Sequence, residues 1–232
     1  MTQSASSSVV KIGAISRRVP RKSGSGRLIA PTSGPVVWAV GGGKGGVGKS
    51  VITASLGVAL AARGPRCVVI DADLGGANLH TLLGVSNPRH TLSDFLSGKV
   101  RNLSDVMSPT SVPGLFLVSG ARSQLNVANM HHAQKRKLLR HIARLEVSQV
   151  LLDLGAGSAF NVVDFFLAAR RGILVVAPEP TSIENAYQFL KTAFIARFDR
   201  WPTIPRFAPS SRRRSRIGLV PRSHRPESSS PV

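Results

Sequence analysis

A glycine-rich segment with two lysines carries the clearest chemistry in this sequence. The eight residues from Gly43 to Ser50 match the phosphate-binding pattern G-x-x-x-x-G-K-[ST]. Glycines let backbone N–H groups approach phosphate oxygens, and a helix that follows the loop adds its own N-terminal N–H groups. Lys49 would contact the β- and γ-phosphates, and the Ser50 hydroxyl would bind Mg²⁺. The segment therefore predicts a site for a nucleoside triphosphate and Mg²⁺. Its predicted nucleotide-binding residues are Gly43, Lys44, Gly45, Gly46, Val47, Gly48, Lys49, Ser50 and Val51.

Carboxylates end two further apolar runs. Asp71 and Asp73 follow the run that begins at Arg66, and Asp153 ends the run from Gln149 to Leu154. In open α/β sheets a ligand lies beyond the carboxyl ends of the strands. Solvated carboxylates at strand ends are the alternative for each of these positions. With the loop upstream, we interpret Asp153 as a Walker B residue that holds Mg²⁺ through water.

The second lysine of the loop, Lys44, gives the sequence K-G-G-V-G-K-S. This resembles the deviant Walker A loop of the MinD/ParA family of dimeric ATPases, and residues 71–80 and 178–187 resemble the FlhG-like branch of that family. The resemblance implies that Lys44 reaches across a dimer interface to the partner's nucleotide. It further implies that Lys44, Lys49 and Asp73 are catalytic, Asp73 by orienting the attacking water.

For the remaining site residues, the resemblance implies that Asp71 supports the Mg²⁺ shell beside Ser50 and Asp153. The family usually has the pattern D-x-x-x-G here, and Asp153 with Gly157 keeps it. Gly157 would let the backbone approach the γ-phosphate, so it completes the predicted nucleotide-binding residues.

The function implied by the resemblance is Mg²⁺-dependent ATP hydrolysis coupled to formation of an ATP-dependent homodimer. Such ATPases are slow switches that position cell-division, flagellar, chemotactic or DNA cargo, so an activator or cargo protein is an expected partner. Two alternatives stay open. A carrier ATPase for iron–sulfur clusters needs cysteine ligands at the dimer interface, and this sequence has Cys67 alone. A non-catalytic or weakly active nucleotide-binding fragment is the other.

The apolar runs predict an α/β fold. The family resemblance covers residues 36–196 and implies a doubly wound, mostly parallel sheet of a P-loop NTPase, with the first strand central between the fourth and the fifth. Near-continuous apolar runs are typical of parallel strands buried on both faces. The predicted strands are 36–40, 66–72, 115–120, 149–154 and 172–178. The predicted helices are 51–63, 126–144, 161–169 and one after Pro178 that is capped by Thr181 or Ser182.

Positive charge is concentrated at the two ends. The net charge is +20, and residues 1–35 and 197–232 carry +13 of it. We interpret 1–35 as a flexible basic leader and 197–232 as a disordered Arg/Pro/Ser-rich tail. The tail replaces strands that the family normally has, which favours a truncated or frameshifted gene over a genuine disordered arm.

These basic ends are the predicted contacts with DNA or anionic membrane. A basic face on the helix after residue 126 is a competing site; its residues are Lys135, Arg136, Lys137, Arg140 and Arg144. One cysteine, no signal peptide and no apolar run of ~20 residues predict a soluble cytoplasmic protein. Peripheral attachment at the membrane or nucleoid is an open alternative.

Overall fold

A computed structural model describes residues 34–73, 76, 78–120, 130–199 and 207. These residues form a six-stranded sheet with helices on both faces. The strands are β1 Val36–Gly42, β2 Cys67–Asp71, β3 Ser108–Pro109, β4 Leu115–Val118, β5 Gln149–Ala156 and β6 Arg171–Leu174. The helices are α1 Lys49–Ala61, α2 Leu79–Leu82, α3 Leu92–Leu96, α4 His132–Ile142, α5 Phe160–Ala168 and α6 Pro180–Asp199, with a 3₁₀ turn at Leu103–Val106.

The sheet is parallel except at one edge. Its strand order is β3-β4-β2-β5-β1-β6, and only the β3–β4 pair among these strands is antiparallel. This confirms the predicted mostly parallel α/β sheet. As predicted, β1 lies between β5 and β6, but it is the second strand from an edge rather than a central strand. The carboxyl ends of β1, β2 and β5 therefore lie side by side.

Alternation of side chains along the strands builds a separate core on each face of the sheet. Val68 and Ile70 of β2 pack into the cluster that α3 and α4 cover, whereas Cys67 and Val69 pack into the cluster beneath α1. Gly57 brings α1 close to the sheet, since a Cβ there would lie 2.7 Å from a methyl carbon of Val69. This close packing fixes the helix whose N-terminus completes the glycine loop.

Several predicted boundaries differ from the structure. The sequence did not predict β3, because this strand has only two residues, one of them proline, and so shows no alternating pattern. β6 ends at Leu174 rather than Pro178. α6 continues to Asp199, three residues beyond 196. The predicted leader and most of the predicted tail lie outside the described residues, although the Phe207 side chain packs against the core. In the part of the chain that the structure describes, no helix has both the length and the apolar character that a membrane span requires.

The predicted basic face is smaller than the sequence indicated. Arg136, Arg140 and Arg144 are exposed one helical turn apart. Lys135 instead points inward and forms a buried ion pair with Asp164 of α5. The ammonium group of Lys137 donates to the Phe95 backbone carbonyl at 2.8 Å and lies 4.3 Å from the centre of the Phe95 ring. Helical spacing alone therefore placed two lysines on the solvent face that the fold uses for packing.

Candidate functional site

The glycine loop joins β1 to α1 with the backbone that its sequence requires. Gly46 and Gly48 have φ angles of 75° and 90°, a left-handed conformation that side chains disfavour. Gly48 is the N-cap of α1, so Lys49 and Ser50 begin the helix. The unpaired N–H groups of this first turn and the helix dipole both favour an anion at the loop. Val51 follows them and is 54% exposed.

Gly43 lies against another part of the fold. A Cβ at Gly43 would lie 2.2 Å from the carbonyl carbon and oxygen of Asn185, so the start of α6 presses directly on the loop. No larger residue fits there without moving α6. The loop is therefore supported by α6 as well as by β1 and α1.

Lys49 points into the loop rather than into solvent. The residue is only 8% exposed, and its ammonium group donates to the Lys44 carbonyl at 3.2 Å. The charge is thus held inside the ring of backbone that would surround a phosphate. The structure therefore places the Lys49 side chain within the predicted phosphate-binding loop.

Asp153 connects the loop helix to β5. The Thr53 hydroxyl lies 2.8 Å from the Lys49 carbonyl and 3.0 Å from Asp153 Oδ1, so its single proton is shared between these two acceptors. Burial raises the pKa of Asp153, while hydrogen bonds from Ser50 and Thr53 and the charge of Lys49 oppose that rise. The predicted Mg²⁺ residues Ser50 and Asp153 therefore lie near each other. Thr53 was missed at the sequence level, although it lies one turn after Lys49 on the same helix.

Asp71 is the cross-strand neighbour of Asp153 and is fully buried. Burial raises its pKa to about 7, and the charges of Asp153 and Asp73 add to that rise. Its two oxygens accept the backbone N–H groups of Asp73 and Leu79, each at 3.2 Å. Asp71 therefore shapes the segment between β2 and α2 as well as facing the site.

Asp73 lies over the end of β5. Its Oδ1 accepts the Gly76 N–H at 3.1 Å, and a Cβ at Gly155 would lie 3.3 Å from the same oxygen. The fold thus brings the three predicted carboxylates together at the mouth of the loop. Residues 74, 75 and 77 of the family-like segment 71–80 lie outside the described residues.

Lys44 contacts the start of α6 in its own chain. Its ammonium group lies 2.7 Å from Glu179 Oε1 and 3.2 Å from the Thr181 hydroxyl. We predicted Thr181 or Ser182 as the helix cap, but α6 begins at Pro180, and the Ser182 hydroxyl instead accepts the Ala177 N–H. Glu179 was missed as a site residue. Its place just after an apolar run, at the edge where loops converge, was the available signal.

Gly157 has a φ angle of 87°, and its N–H donates to the Gly42 carbonyl at 3.0 Å. This bond ties the segment after β5 to the end of β1. The N–H that we predicted near the γ-phosphate is therefore engaged within the protein. Contact with a phosphate would require that bond to be shared or released.

The donor set suits Mg²⁺ better than a soft metal. The described residues contain no group of three or more His, Cys, Asp or Glu side chains that could hold a metal ion. Mg²⁺ does not need such a cage, because it keeps several waters and binds one or two carboxylates and the phosphates of its substrate. Ser50 and Asp153 fit that mode. Cys67 is fully buried and its pKa is raised to about 12, so it offers no thiolate.

A glycine loop between a buried strand and a helix, with Lys49, Ser50 and strand-end carboxylates around it, defines a P-loop nucleotide-binding domain. The chain belongs to the ParA family of P-loop NTPases. Residues 35–190 match the family model described as ParA, NUBPL iron-transfer P-loop NTPase. This confirms the predicted membership.

Similar proteins agree with this assignment. The antiactivator FleN of Pseudomonas aeruginosa is 41% identical over 158 residues, which are 67% of this chain and 55% of that protein. A putative septum site-determining protein MinD of Oltmannsiellopsis viridis is 32% identical over 145 residues, or 62% and 46% of the two chains. The chain thus spans about half the length of these relatives.

Solved structures show the same fold. MinD of Pyrococcus horikoshii complexed with Mg-ADP superposes with a TM-score of 0.60 at 25% identity, covering 73% of this chain and 66% of that one. Cobyrinic acid a,c-diamide synthase of Mycobacterium smegmatis, with an ATP analogue and magnesium, gives 0.61 at 26% identity, covering 71% and 69%. Both neighbours bind a nucleotide with magnesium.

Proposed function

We propose that this chain binds ATP with Mg²⁺ and hydrolyses it. The observation that carries the proposal is the contact between the loop helix and β5, where the Thr53 hydroxyl lies 3.0 Å from Asp153 Oδ1 and Ser50 lies near enough to lower the pKa of Asp153. A hydroxyl and a carboxylate held together beside a phosphate-binding loop are what a Mg²⁺–nucleotide complex requires. The Mg²⁺ carried by the nucleotide supplies charge neutralisation for the phosphates.

The roles of the residues follow from their positions. Lys49 holds the β- and γ-phosphates from inside the loop, and the first turn of α1 donates N–H groups to them. Asp153 and Ser50 hold Mg²⁺. Asp71 fixes the segment that carries Asp73, and Asp73 orients the attacking water at the open side of the site.

We further propose that nucleotide controls a homodimer. The side chain of Lys44 is 38% exposed and ends at the surface, where a second subunit could receive it. It would exchange Glu179 for the nucleotide of that subunit when ATP is bound. The family resemblance of the K-G-G-V-G-K-S loop supports this step.

The proposed biological role is spatial positioning. The relatives are named as an antiactivator and as septum site-determining proteins, and one structural neighbour is a MinC:MinD cell division complex from Aquifex aeolicus. We propose that this chain likewise acts through a protein partner, as an activator or cargo, in the cytoplasm or at the membrane or nucleoid surface. An iron–sulfur carrier role has no support from its residues, because Cys67 is buried and alone in the sequence.

The test is ATP turnover by the full chain with and without Mg²⁺. We expect hydrolysis that requires Mg²⁺ and is abolished in Lys49→Ala and in Ser50→Ala, because these variants remove the phosphate-binding charge and the metal-binding hydroxyl. Lys191→Ala, which removes an exposed lysine on α6, is the matched control and should retain full activity. Equal turnover in Lys49→Ala and Lys191→Ala would refute the site.

A further inference from the structure

A cavity lies beyond the amino ends of β2 and β5, on the side of the sheet away from the nucleotide loop. It has a volume of about 410 Å³, within the ~300–1,000 Å³ typical of small-molecule sites. Arg66 at its wall directly precedes β2, and Val147 lies just before β5. The same two strands carry Asp71 and Asp153, which are paired across them, so the length of β2, roughly 13 Å, separates the cavity from the nucleotide site.

Two arginines, Arg66 and Arg144, are among the residues that line this cavity. Among the described residues, neither forms an ion pair with a carboxylate. The Arg66 guanidinium lies 5.0 Å from the centre of the Phe116 ring, which holds its planar group in place. A planar group with several N–H donors is well suited to a phosphate, which it can bind with two parallel hydrogen bonds.

His141 also lines the cavity and lies among cationic side chains. Its ring meets the Phe95 ring edge-on, with centroids 4.9 Å apart. Burial lowers the pKa of His141, and the charges of Lys137, Arg144 and Arg140 lower it further. No carboxylate among the described residues raises the pKa of His141 against the effect of these cations. A bound anion would relieve that repulsion.

The rest of the lining limits what kind of anion fits. Leu103, Met107 and Val147 form an apolar part of the wall, where an organic group can pack. Glu146 also lines the cavity and would repel a phosphate beside it. It would accept a hydrogen bond from a hydroxyl or amino group at the other end of the ligand.

We propose that this cavity binds a small phosphate monoester. Its phosphate lies on Arg66, Arg144 and His141, and its organic part packs on the apolar wall with a donor toward Glu146. The site is separate from the nucleotide loop and uses none of the residues placed there. Nothing in the ParA-type site accounts for two arginines that have no carboxylate partner among the described residues and a histidine around one cavity.

The experiment titrates the full chain with AMP while the imidazole resonances of its histidines are followed by NMR, with His141→Gln to assign the signal. AMP should shift the His141 signal saturably and raise its pKa, since a dianion favours the charged imidazole. The same response should occur in Lys49→Ala, because that variant changes only the distant loop. Arg144→Gln should weaken AMP binding about tenfold. Arg140→Gln makes the same charge change four residues earlier, on α4 and outside the cavity lining, and should weaken binding less than twofold.

Three results would overturn the proposal. The first is a His141 shift that never saturates and follows ionic strength alone. The second is loss of the response in Lys49→Ala, which would assign it to the loop. The third is inorganic phosphate binding as tightly as AMP, because the apolar wall would then recognise nothing.

Discussion

The Lys44 ammonium group lies 2.7 Å from Glu179 Oε1, so the second lysine of the loop is held by the start of α6 in its own chain. The side chains are 38% and 47% exposed, and pairs of this kind contribute about 0.2–1 kcal/mol. Any function in which Lys44 contacts a second subunit must first break this pair.

The first prediction follows from that cost. Glu179→Gln should tighten the ATP-dependent homodimer by up to about fivefold, because Lys44 no longer leaves a charged partner. Analytical ultracentrifugation across a concentration series with ATP measures the change. Glu184→Gln, which removes an exposed carboxylate five residues further along the chain, should have no effect. A weaker dimer in Glu179→Gln would mean that Glu179 itself contacts the second subunit.

The second prediction concerns Thr53. Thr53→Val keeps the shape of this buried side chain but removes the hydroxyl that donates to Asp153. It should cost about 1 kcal/mol of stability and raise the Mg²⁺ concentration needed for half-maximal ATPase activity severalfold, because Asp153 loses an orienting donor. Thr53→Ser retains the hydroxyl and should restore the Mg²⁺ dependence. If Thr53→Val loses stability without any change in Mg²⁺ dependence, the hydroxyl is purely structural.

The Thr53–Asp153 and Lys44–Glu179 contacts could not be predicted from the sequence, whereas other parts of the site could. The residues of the loop are adjacent in the chain, and their spacing alone predicted phosphate binding. Asp71 and Asp153 could be placed together because both end apolar runs. In contrast, Thr53 meets Asp153 across 100 positions and Lys44 meets Glu179 across 135, and no local pattern encodes either pairing. The helical period likewise could not show that Lys135 turns inward to Asp164, because a buried ion pair depends on which helix packs alongside.

The third prediction concerns Asp73, which lies over Gly155 at the open side of the site. If it orients water, Asp73→Ala should lower ATP turnover by about 10²-fold or more while ATP affinity stays within a few-fold. The ATP-bound dimer should then accumulate, and size-exclusion chromatography with ATP would detect it. Loss of ATP binding in this variant would instead assign Asp73 to the metal or to the structure.

The fourth prediction is a pH dependence of stability that originates at Asp71. Burial raises the pKa of Asp71 from 3.8 to about 7 in the folded state. The folded protein therefore holds this proton more tightly than the unfolded chain, and the stability that it contributes is lost as pH rises from about 4 through 7. Asp153, whose pKa is also raised, acts in the same direction.

Thermal unfolding at pH 5 and pH 8, without nucleotide, measures the effect. Asp71→Asn should reduce the loss of stability between these pH values by roughly 1–3 kcal/mol, because the variant has no proton to lose. The two proteins are compared by the difference in stability between the two pH values. The absolute stability of Asp71→Asn is also lowered at every pH, because asparagine has one acceptor oxygen fewer for the backbone N–H groups of Asp73 and Leu79. His141, whose pKa is lowered, opposes the trend equally in both proteins. An identical pH profile for the variant and its parent would show that Asp71 titrates normally.

The last prediction separates the two candidate surfaces for DNA or anionic lipid. Arg136 and Arg140 on α4 and Arg144 just after it form an exposed row, whereas residues 212–214 are three consecutive arginines in the basic end of the sequence. Replacing either trio by glutamine removes the same charge from the full chain. Since residues 1–35 and 197–232 carry +13 of the net charge, we expect the 212–214 variant to lose more binding and to reduce the salt slope by about two to three. Fluorescence anisotropy with a DNA duplex over a series of salt concentrations measures both quantities. If the α4 variant loses more, and only in the presence of ATP, then the folded domain is the binding surface and the charged ends are not.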